Sequence, residues 1–355
     1  MDESEDGEFD APFIYDQLAV GVVGQETGKR DLATLLAMHV RSLVEGDINL
    51  AHTAPNALII GPTGVGKTHA IRTAAAALRL PLAIADATRL ATSAFGDESL
   101  DDVLIELLRA SRRQVTEKGE VPELEELKDA RRGIVFIDEF DKLATDLDGR
   151  DGRNEIVQRR LLQFIDGAAV TLPPGMHIGD DEMVFDTAGV LFIVAGAFTD
   201  LLAGLGGRPH EVMRGMARHD HVISQDLVRY GFMPELIARL PVIIEFSPLS
   251  EDDLVGILQN KQTDPSQFYV NYMRSMGTEL IIKADAQHWI AAAAARLKVG
   301  ARGLHQVLFP MLSLVSQELE NENPRPERFI VDKQAAEDLT RRVEYRRSGH
   351  TADQT

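Results

Sequence analysis

A glycine-rich segment contains the residues whose chemistry is most specific. It reads Gly61-Pro62-Thr63-Gly64-Val65-Gly66-Lys67-Thr68, which matches the pattern G-x-x-x-x-G-K-[ST] in full. Glycines let such a loop curl, so that its backbone N–H groups and the following helix N-terminus face phosphate groups. In loops of this type the lysine reaches the β- and γ-phosphates, and the threonine hydroxyl holds Mg²⁺. The segment, with the adjoining His69, is therefore predicted to bind a nucleotide.

Two carboxylates follow an apolar run further along the chain. Asp138 and Glu139 come directly after residues 133–137, and ligands of parallel sheets bind at the carboxyl ends of the strands. Asp138 is predicted to hold the Mg²⁺ ion together with Thr68, and Glu139 to orient and deprotonate the attacking water. Alone, such a pair is more often an exposed turn or a helix cap. The phosphate loop upstream favours the catalytic interpretation.

Short apolar runs predict the strands that would position these residues. They lie at 57–60, 82–85, 134–137, 190–194 and 242–244, and segments with helical apolar spacing separate most of them. Near-continuous apolar strands that alternate with helices predict a parallel sheet covered on both faces. After residue 247 the pattern becomes mostly helical. We therefore expect an α/β nucleotide-binding domain over 12–246 and a small helical domain over 247–345, with flexible tails at 1–11 and 346–355.

Composition excludes several classes of protein. The 355 residues include 37 Lys plus Arg and 56 Asp plus Glu, for a net charge of −19, and 44 % are hydrophobic. General disorder is thereby excluded. The absence of cysteine excludes disulfides and thiolate metal sites, and it fits a reducing compartment. The acidic N-terminus and the lack of a long apolar stretch predict a cytoplasmic protein without a membrane span. The negative charge argues against tight, sequence-indifferent nucleic-acid binding.

With these motifs in place, the chain resembles a known family. Residues 138–143, Asp-Glu-Phe-Asp-Lys-Leu, resemble the Walker B segment of AAA+ ATPases, specifically of the ClpX and HslU protein unfoldases. Residues 22–25 resemble the family's adenine-side loop, 229–241 the segment that carries the arginine finger, and 300–304 the sensor-2 motif. The resemblance spans about residues 14–320. It implies a P-loop NTPase domain with a five-stranded parallel sheet, a helical lid, and ATP hydrolysis.

The resemblance also implies roles for single residues. Arg239 would act as the finger that stabilises the transferring phosphoryl group of a neighbouring subunit, and Arg229 is the weaker candidate for this role. Arg302 would contact the nucleotide and couple its state to domain rotation. Val23 would pack beside the adenine base, or else belong to the core. A finger supplied in trans requires a ring, and the family implies a homohexamer.

A further segment indicates what the motor acts on. Residues 86–98 align with the stretch of ClpX-like proteins that holds the pore loop, here Ala94-Phe95-Gly96. Phe95 falls on the aromatic residue that grips a translocating polypeptide, because an aromatic ring contacts any passing side chain. The alternative is a core phenylalanine that anchors a loop. The resemblance therefore implies protein substrates and threading through a central pore.

Departures from the family limit the expected partners. We expect this chain to lack the zinc-binding N-terminal domain of ClpX, and no Ile-Gly-Phe tripeptide lies between Thr199 and Asp226, where ClpX docks its peptidase. A peptidase partner is therefore not assumed. The favoured function is an ATP-dependent unfoldase or remodelling chaperone. The alternatives are a nucleotide switch that remodels a dedicated complex without threading and, less favoured because of the acidic charge, a DNA-directed AAA+ ATPase.

Overall fold

The computed structural model describes residues 9–44, 54–92, 99–116, 130–145, 152–172, 183–205, 221–322 and 324–347. They fold as two compact units. The first comprises the described residues within Met1–Ala19, Gln25–Pro62 and Lys67–Phe246, and the second those within Val20–Gly24, Thr63–Gly66 and Ser247–Thr355. Within the described part of the chain, no helix is long and apolar enough to cross a membrane.

The strands and helices follow in this order. The strands are β1 Ala57–Ile60, β2 Leu82–Asp86, β3 Ile134–Asp138, β4 Ala169–Leu172, β5 Met183–Asp186, β6 Leu191–Gly196, β7 Val242–Glu245, β8 Glu279–Ile282 and β9 Arg328–Val331. The α-helices are α1 Ala11–Gly21, α2 Glu26–Val44, α3 Lys67–Leu78, α4 Ala87–Thr92, α5 Leu100–Thr116, α6 Gly152–Ile165, α7 Thr199–Leu205, α8 Ser224–Tyr230, α9 Pro234–Ala238, α10 Glu251–Gln259, α11 Gln267–Ser275, α12 Ala284–Arg296, α13 Arg302–Asn321 and α14 Lys333–Arg347. Short 3₁₀ helices span Phe140–Leu143 and Thr187–Gly189.

The first unit is built on a five-stranded sheet. Its strand order is β2-β3-β6-β1-β7, and every neighbouring pair is parallel. Strands β1 and β6 are buried along their whole length, which explains their unbroken apolar sequences, since both faces are covered. The core includes Leu58, Val135 and Phe192, and Leu104 and Leu107 of α5 pack with them. The expected α/β fold with a five-stranded parallel sheet is confirmed.

The strand register places the chemistry at one edge of this sheet. Asp86 lies opposite Asp138, and Ile60 lies opposite both Gly196 and Glu245. Because all five strands run in the same direction, their carboxyl ends meet at this edge, where parallel sheets bind ligands. The phosphate loop leaves β1 here, and Glu139 follows β3 at the same level.

Two further strand pairs were not expected from the sequence. In the first unit β4 and β5 form an antiparallel pair, and in the second unit β8 and β9 pair in parallel. Each of these strands has only four residues, and Glu279 and Arg328 stand opposite each other at one end of the β8–β9 pair. Residues 280–282 and 329–331 are apolar runs of only three residues, and runs this short cannot be assigned to a strand or a helix from the sequence alone. The core of the second unit includes Leu254, Ile290 and Leu308.

Candidate functional site

The first turn of the phosphate loop depends on a close backbone approach. A Cβ atom on Gly61 would lie 2.4 Å from the carbonyl oxygen of Phe246, so only glycine fits between β1 and the chain that leaves β7. Lys67 begins α3 and is only 7 % exposed. Its Nζ donates to the carbonyl oxygens of Gly61 at 2.5 Å and Pro62 at 3.1 Å. The ammonium group is therefore held against the loop that the motif assigns to phosphate.

The two residues predicted to hold Mg²⁺ are in direct contact. The Thr68 Oγ1 hydroxyl donates to Oδ2 of Asp138 at 2.5 Å, although 70 positions separate them. The other carboxylate oxygen of Asp138, Oδ1, accepts from the backbone N–H of Glu139 at 2.8 Å. A hydroxyl and a carboxylate are hard oxygen donors of the kind that Mg²⁺ prefers. The first turn of α3 and the carboxyl end of β3 thus bring together a donor set that fits this ion.

Glu139 lies at a strained point of the backbone. Its φ of 56° and ψ of 30° are left-handed, and it precedes the 3₁₀ helix Phe140–Leu143. A non-glycine residue in this conformation costs about 1–3 kcal/mol, and such strain concentrates at functional sites. The side chain of Glu139 is exposed, whereas Asp141 two residues later is buried. Oδ1 of Asp141 accepts from the N–H of Ala197 at 3.1 Å, which ties this segment to the end of β6.

The candidate arginine fingers are both exposed residues of the first unit. Arg239 follows α9 directly. Its side chain is 57 % exposed, and its Nε forms an ion pair with the carboxylate of Asp166. Arg229 is an exposed residue of α8. His69, in the first turn of α3, is also exposed.

The remaining nucleotide-binding candidates belong to the second unit. The carbonyl oxygen of Gly64 accepts from the N–H of Ala301 at 2.9 Å, and a Cβ atom on Gly64 would lie 2.3 Å from the oxygen of Val299. Residue 64 therefore lies against the turn that precedes α13, whose first residue is the exposed Arg302. Val23 is half-buried, and a Cβ atom on Gly256 would be only 2.8 Å from its Cγ1. Val23 thus packs on α10.

Known proteins resemble this chain over most of its length. The family model for the AAA domain (Cdc48 subfamily) matches residues 53–243. The ATP-dependent Clp protease ATP-binding subunit ClpX of Porphyromonas gingivalis is 32 % identical over 311 residues, covering 81 % of this chain and 72 % of the relative. The protein of the same name from Bacteroides fragilis is 30 % identical over 332 residues, covering 88 % and 77 %. This chain belongs to the ClpX-like AAA+ ATPases. It binds ATP and is an ATPase.

Several residues assigned by family resemblance lie outside the described residues of this ClpX-like ATPase. The pore-loop residues Ala94, Phe95 and Gly96 are among them, and so is most of the segment between Thr199 and Asp226. Their roles stay predictions.

Sequence reasoning missed three buried or paired residues beside the ATPase motifs. Gln158 of α6 is completely buried, Asp141 is nearly so, and Asp166 pairs with Arg239. A glutamine among polar helix residues carries no signal of burial, because charged and amide residues are usually exposed. Only the helical apolar spacing around residue 158 could have placed it on an inward face.

Proposed function

We propose that this ClpX-like ATPase is an ATP-driven protein unfoldase that assembles into a homohexameric ring and threads polypeptide through its centre. The contact between Thr68 and Asp138 carries the ATP-driven part of this proposal, because it joins the helix after the phosphate loop to the Walker B strand. Named relatives are ATP-binding subunits of a Clp protease, which supports protein substrates. The proposed location is the cytoplasm.

The residues divide the proposed reaction among them. Gly61–Thr68 would hold the phosphates, and Thr68 and Asp138 would hold Mg²⁺, which supplies positive charge to the β- and γ-phosphates. Glu139 would take a proton from the attacking water as a general base. Arg239 of a neighbouring subunit would stabilise negative charge on the transferring phosphoryl group, for which a guanidinium is suited because it stays charged.

The proposal leaves out a peptidase. The relatives are named as subunits of a protease, but the stretch between Thr199 and Asp226 has no Ile-Gly-Phe tripeptide. We therefore propose protein remodelling as the activity of this chain. A membrane or nucleic-acid target has no support from its sequence.

The experiment that tests threading uses trapped substrates. Glu139→Gln is expected to bind ATP but hydrolyse it poorly, so that the ring holds its substrates. The full-length variant is purified with ATP, with and without Phe95→Ala, and co-purifying proteins are identified by mass spectrometry. Phe95→Tyr in the same background is the matched control, because it keeps the aromatic ring.

The outcomes separate the two main functions. Many proteins that are retained by Glu139→Gln and by its Phe95→Tyr form, but lost with Phe95→Ala, support threading. One fixed partner that is retained regardless of residue 95 contradicts threading and favours the nucleotide switch. A peptidase among the retained proteins would add a degradation partner, which the proposal does not assume.

A further inference from the structure

A fully buried glutamine joins the catalytic segment to the segment that carries Arg239. Gln158 of α6 is 0 % exposed. Its Nε2 donates to the carbonyl oxygen of Leu143 at 2.7 Å and to that of Gly231 at 3.3 Å. Its Oε1 accepts from the N–H of Met233 at 2.8 Å. Leu143 ends the 3₁₀ helix that follows Glu139, and Met233 precedes α9.

Other contacts also join the segment that follows Glu139 to the segment that carries Arg239. The carbonyl oxygen of Gly231 also accepts from the backbone N–H and the Oγ1 of Thr145, at 3.0 and 2.9 Å. Gly231 has a φ of 120°, and a Cβ atom there would lie 2.4 Å from the oxygen of Thr145. The rings of Phe140 and Phe232 are stacked with centroids 4.6 Å apart. The two segments therefore share buried hydrogen bonds and an aromatic contact, so they are expected to move together.

The end of α6 holds the finger residue itself. Asp166, directly after α6, forms an ion pair with Nε of Arg239. The contact of this ion pair is made by Nε of the guanidinium. The terminal nitrogens are those with which an arginine forks around a phosphoryl group. The ion pair thus holds the side chain through the nitrogen that a finger needs least.

We propose that Gln158 and Asp166 are positioning residues for Arg239, which set the finger relative to the Walker B segment of the same subunit. This inference rests on the proposed role of Arg239 as the finger. A displacement of Glu139 and its 3₁₀ helix in one subunit would be transmitted through Leu143, Gln158 and Met233 to the arginine that this subunit offers to its neighbour. Successive ATP sites of the ring would be coupled in this way.

The test measures steady-state ATP hydrolysis by the assembled full-length protein. Gln158→Met keeps the side-chain length but removes the hydrogen bonds, and Asp166→Asn removes the charge that holds Arg239. Small misplacements of a reacting group lower rates by up to about 10²-fold. We expect kcat to fall about tenfold or more in each variant, with the KM for ATP changed less than about twofold.

Two matched controls separate positioning from general damage. Asp101→Asn breaks the similarly exposed ion pair between Asp101 and Arg160 of α6, 2.6 Å long. Thr278→Val removes a buried hydroxyl that donates to the carbonyl oxygen of Pro326 at 2.9 Å in the second unit. Both controls are expected to hydrolyse ATP at rates within about twofold of the unsubstituted protein, because most substitutions away from a site act on stability alone.

Combining each of the two variants, Gln158→Met and Asp166→Asn, with Arg239→Ala tests whether they act through Arg239. If Gln158 and Asp166 act through Arg239, neither variant lowers the rate further in the Arg239→Ala background. The inference is overturned if Gln158→Met and Asp166→Asn lower the ATP hydrolysis rate by the same factor with and without Arg239. It is also overturned if neither single variant lowers the rate. If Arg239→Ala alone leaves hydrolysis unchanged, the finger proposal itself fails. Should Gln158→Met fail to assemble by size-exclusion chromatography, the surface variant Asp166→Asn decides alone.

Discussion

Glu139 combines a proposed catalytic carboxylate with an unfavourable backbone. Its left-handed conformation is uncommon for residues other than glycine, and asparagine and aspartate adopt it several times more readily than most. The polar residues around it explain why the conformation persists: Asp138 accepts from its N–H, and Asp141 fixes the following turn. Strain at this position is therefore imposed by the surrounding structure.

The strained backbone at Glu139 predicts that two inactive variants differ in their free energy of unfolding. Glu139→Asn and Glu139→Gln both replace the carboxylate with an amide, but asparagine tolerates the left-handed conformation better. The asparagine variant is expected to be more stable by about 0.5–1 kcal/mol, part of the roughly 1–3 kcal/mol that this conformation costs. Urea denaturation of the two proteins without nucleotide measures the difference. Equal midpoints would mean that the backbone at residue 139 is not strained.

The hydroxyl of Thr68 is predicted to be required for ATP hydrolysis. Thr68→Val keeps the shape of the side chain but removes the group that contacts Asp138 and is proposed to hold Mg²⁺. ATP hydrolysis is expected to fall at least about tenfold, since a metal's charge stabilisation is worth several kcal/mol. Titrating Mg²⁺ at saturating ATP measures the effect. Thr68→Ser retains the hydroxyl and should keep most of the activity; an equally inactive serine variant would assign the loss to packing instead.

At the scale of elements, a buried histidine joins α2 to the start of β3. His39 is 2 % exposed, and its Nε2 lies 2.9 Å from the carbonyl oxygen of Arg132. Burial, and to a lesser extent the charge of Arg132, lower the pKa of His39 from 6.5 to about 4. The ring is therefore neutral in the folded protein near pH 7, with Nε2 donating to the carbonyl oxygen.

This lowered pKa predicts a loss of stability in acid. Between about pH 6.5 and 4 the unfolded chain binds a proton at His39 that the folded protein does not bind, so the free energy of unfolding decreases as the pH falls through this range. At 1.36 kcal/mol per pKa unit the loss is about 3 kcal/mol. Chemical denaturation across this range measures the slope for the unsubstituted protein and for His39→Gln, which cannot titrate. Identical slopes would contradict the assignment.

At the scale of the whole molecule, the proposed ring requires each active site to draw on two subunits. Glu139 and Arg239 of one chain would serve different sites, because the finger acts on the neighbour. The ion pair between Arg239 and Asp166, together with the buried Gln158, would place the proposed finger under the control of its own subunit. Cooperation between subunits would then follow from contacts inside each chain.

Mixing two inactive variants tests whether each active site takes Glu139 from one subunit and Arg239 from its neighbour. Arg239→Ala retains Glu139, and Glu139→Gln retains Arg239, so a mixed ring contains some sites with both groups. At a 1:1 ratio about a quarter of the sites are complete if subunits mix at random around a closed ring. The mixture is expected to regain about that fraction of the original ATPase rate, whereas each variant alone stays nearly inactive. Mixed assemblies that remain inactive at every ratio would contradict a finger supplied in trans.

The amino-acid sequence alone determined the parts of this protein whose signals are local. The phosphate loop is one continuous segment, and β1, β3 and β6 are unbroken apolar runs, so composition and spacing were sufficient to predict both the motif and the parallel sheet. The family followed from motifs in order along the chain. The apolar runs within β8 and β9 have only three residues each, so periodicity alone could not assign them to strands.

Only the tertiary structure decided which distant residues meet outside the ATPase motifs. The three hydrogen bonds of Gln158 and the pairing of Asp166 with Arg239 each join separate segments. Residues 20–24 and 63–66 likewise join the second unit, although they lie far from it along the chain. The physical reason is that burial and long-range hydrogen bonds depend on how elements pack, and a polar side chain has the same identity whether it faces water or a core.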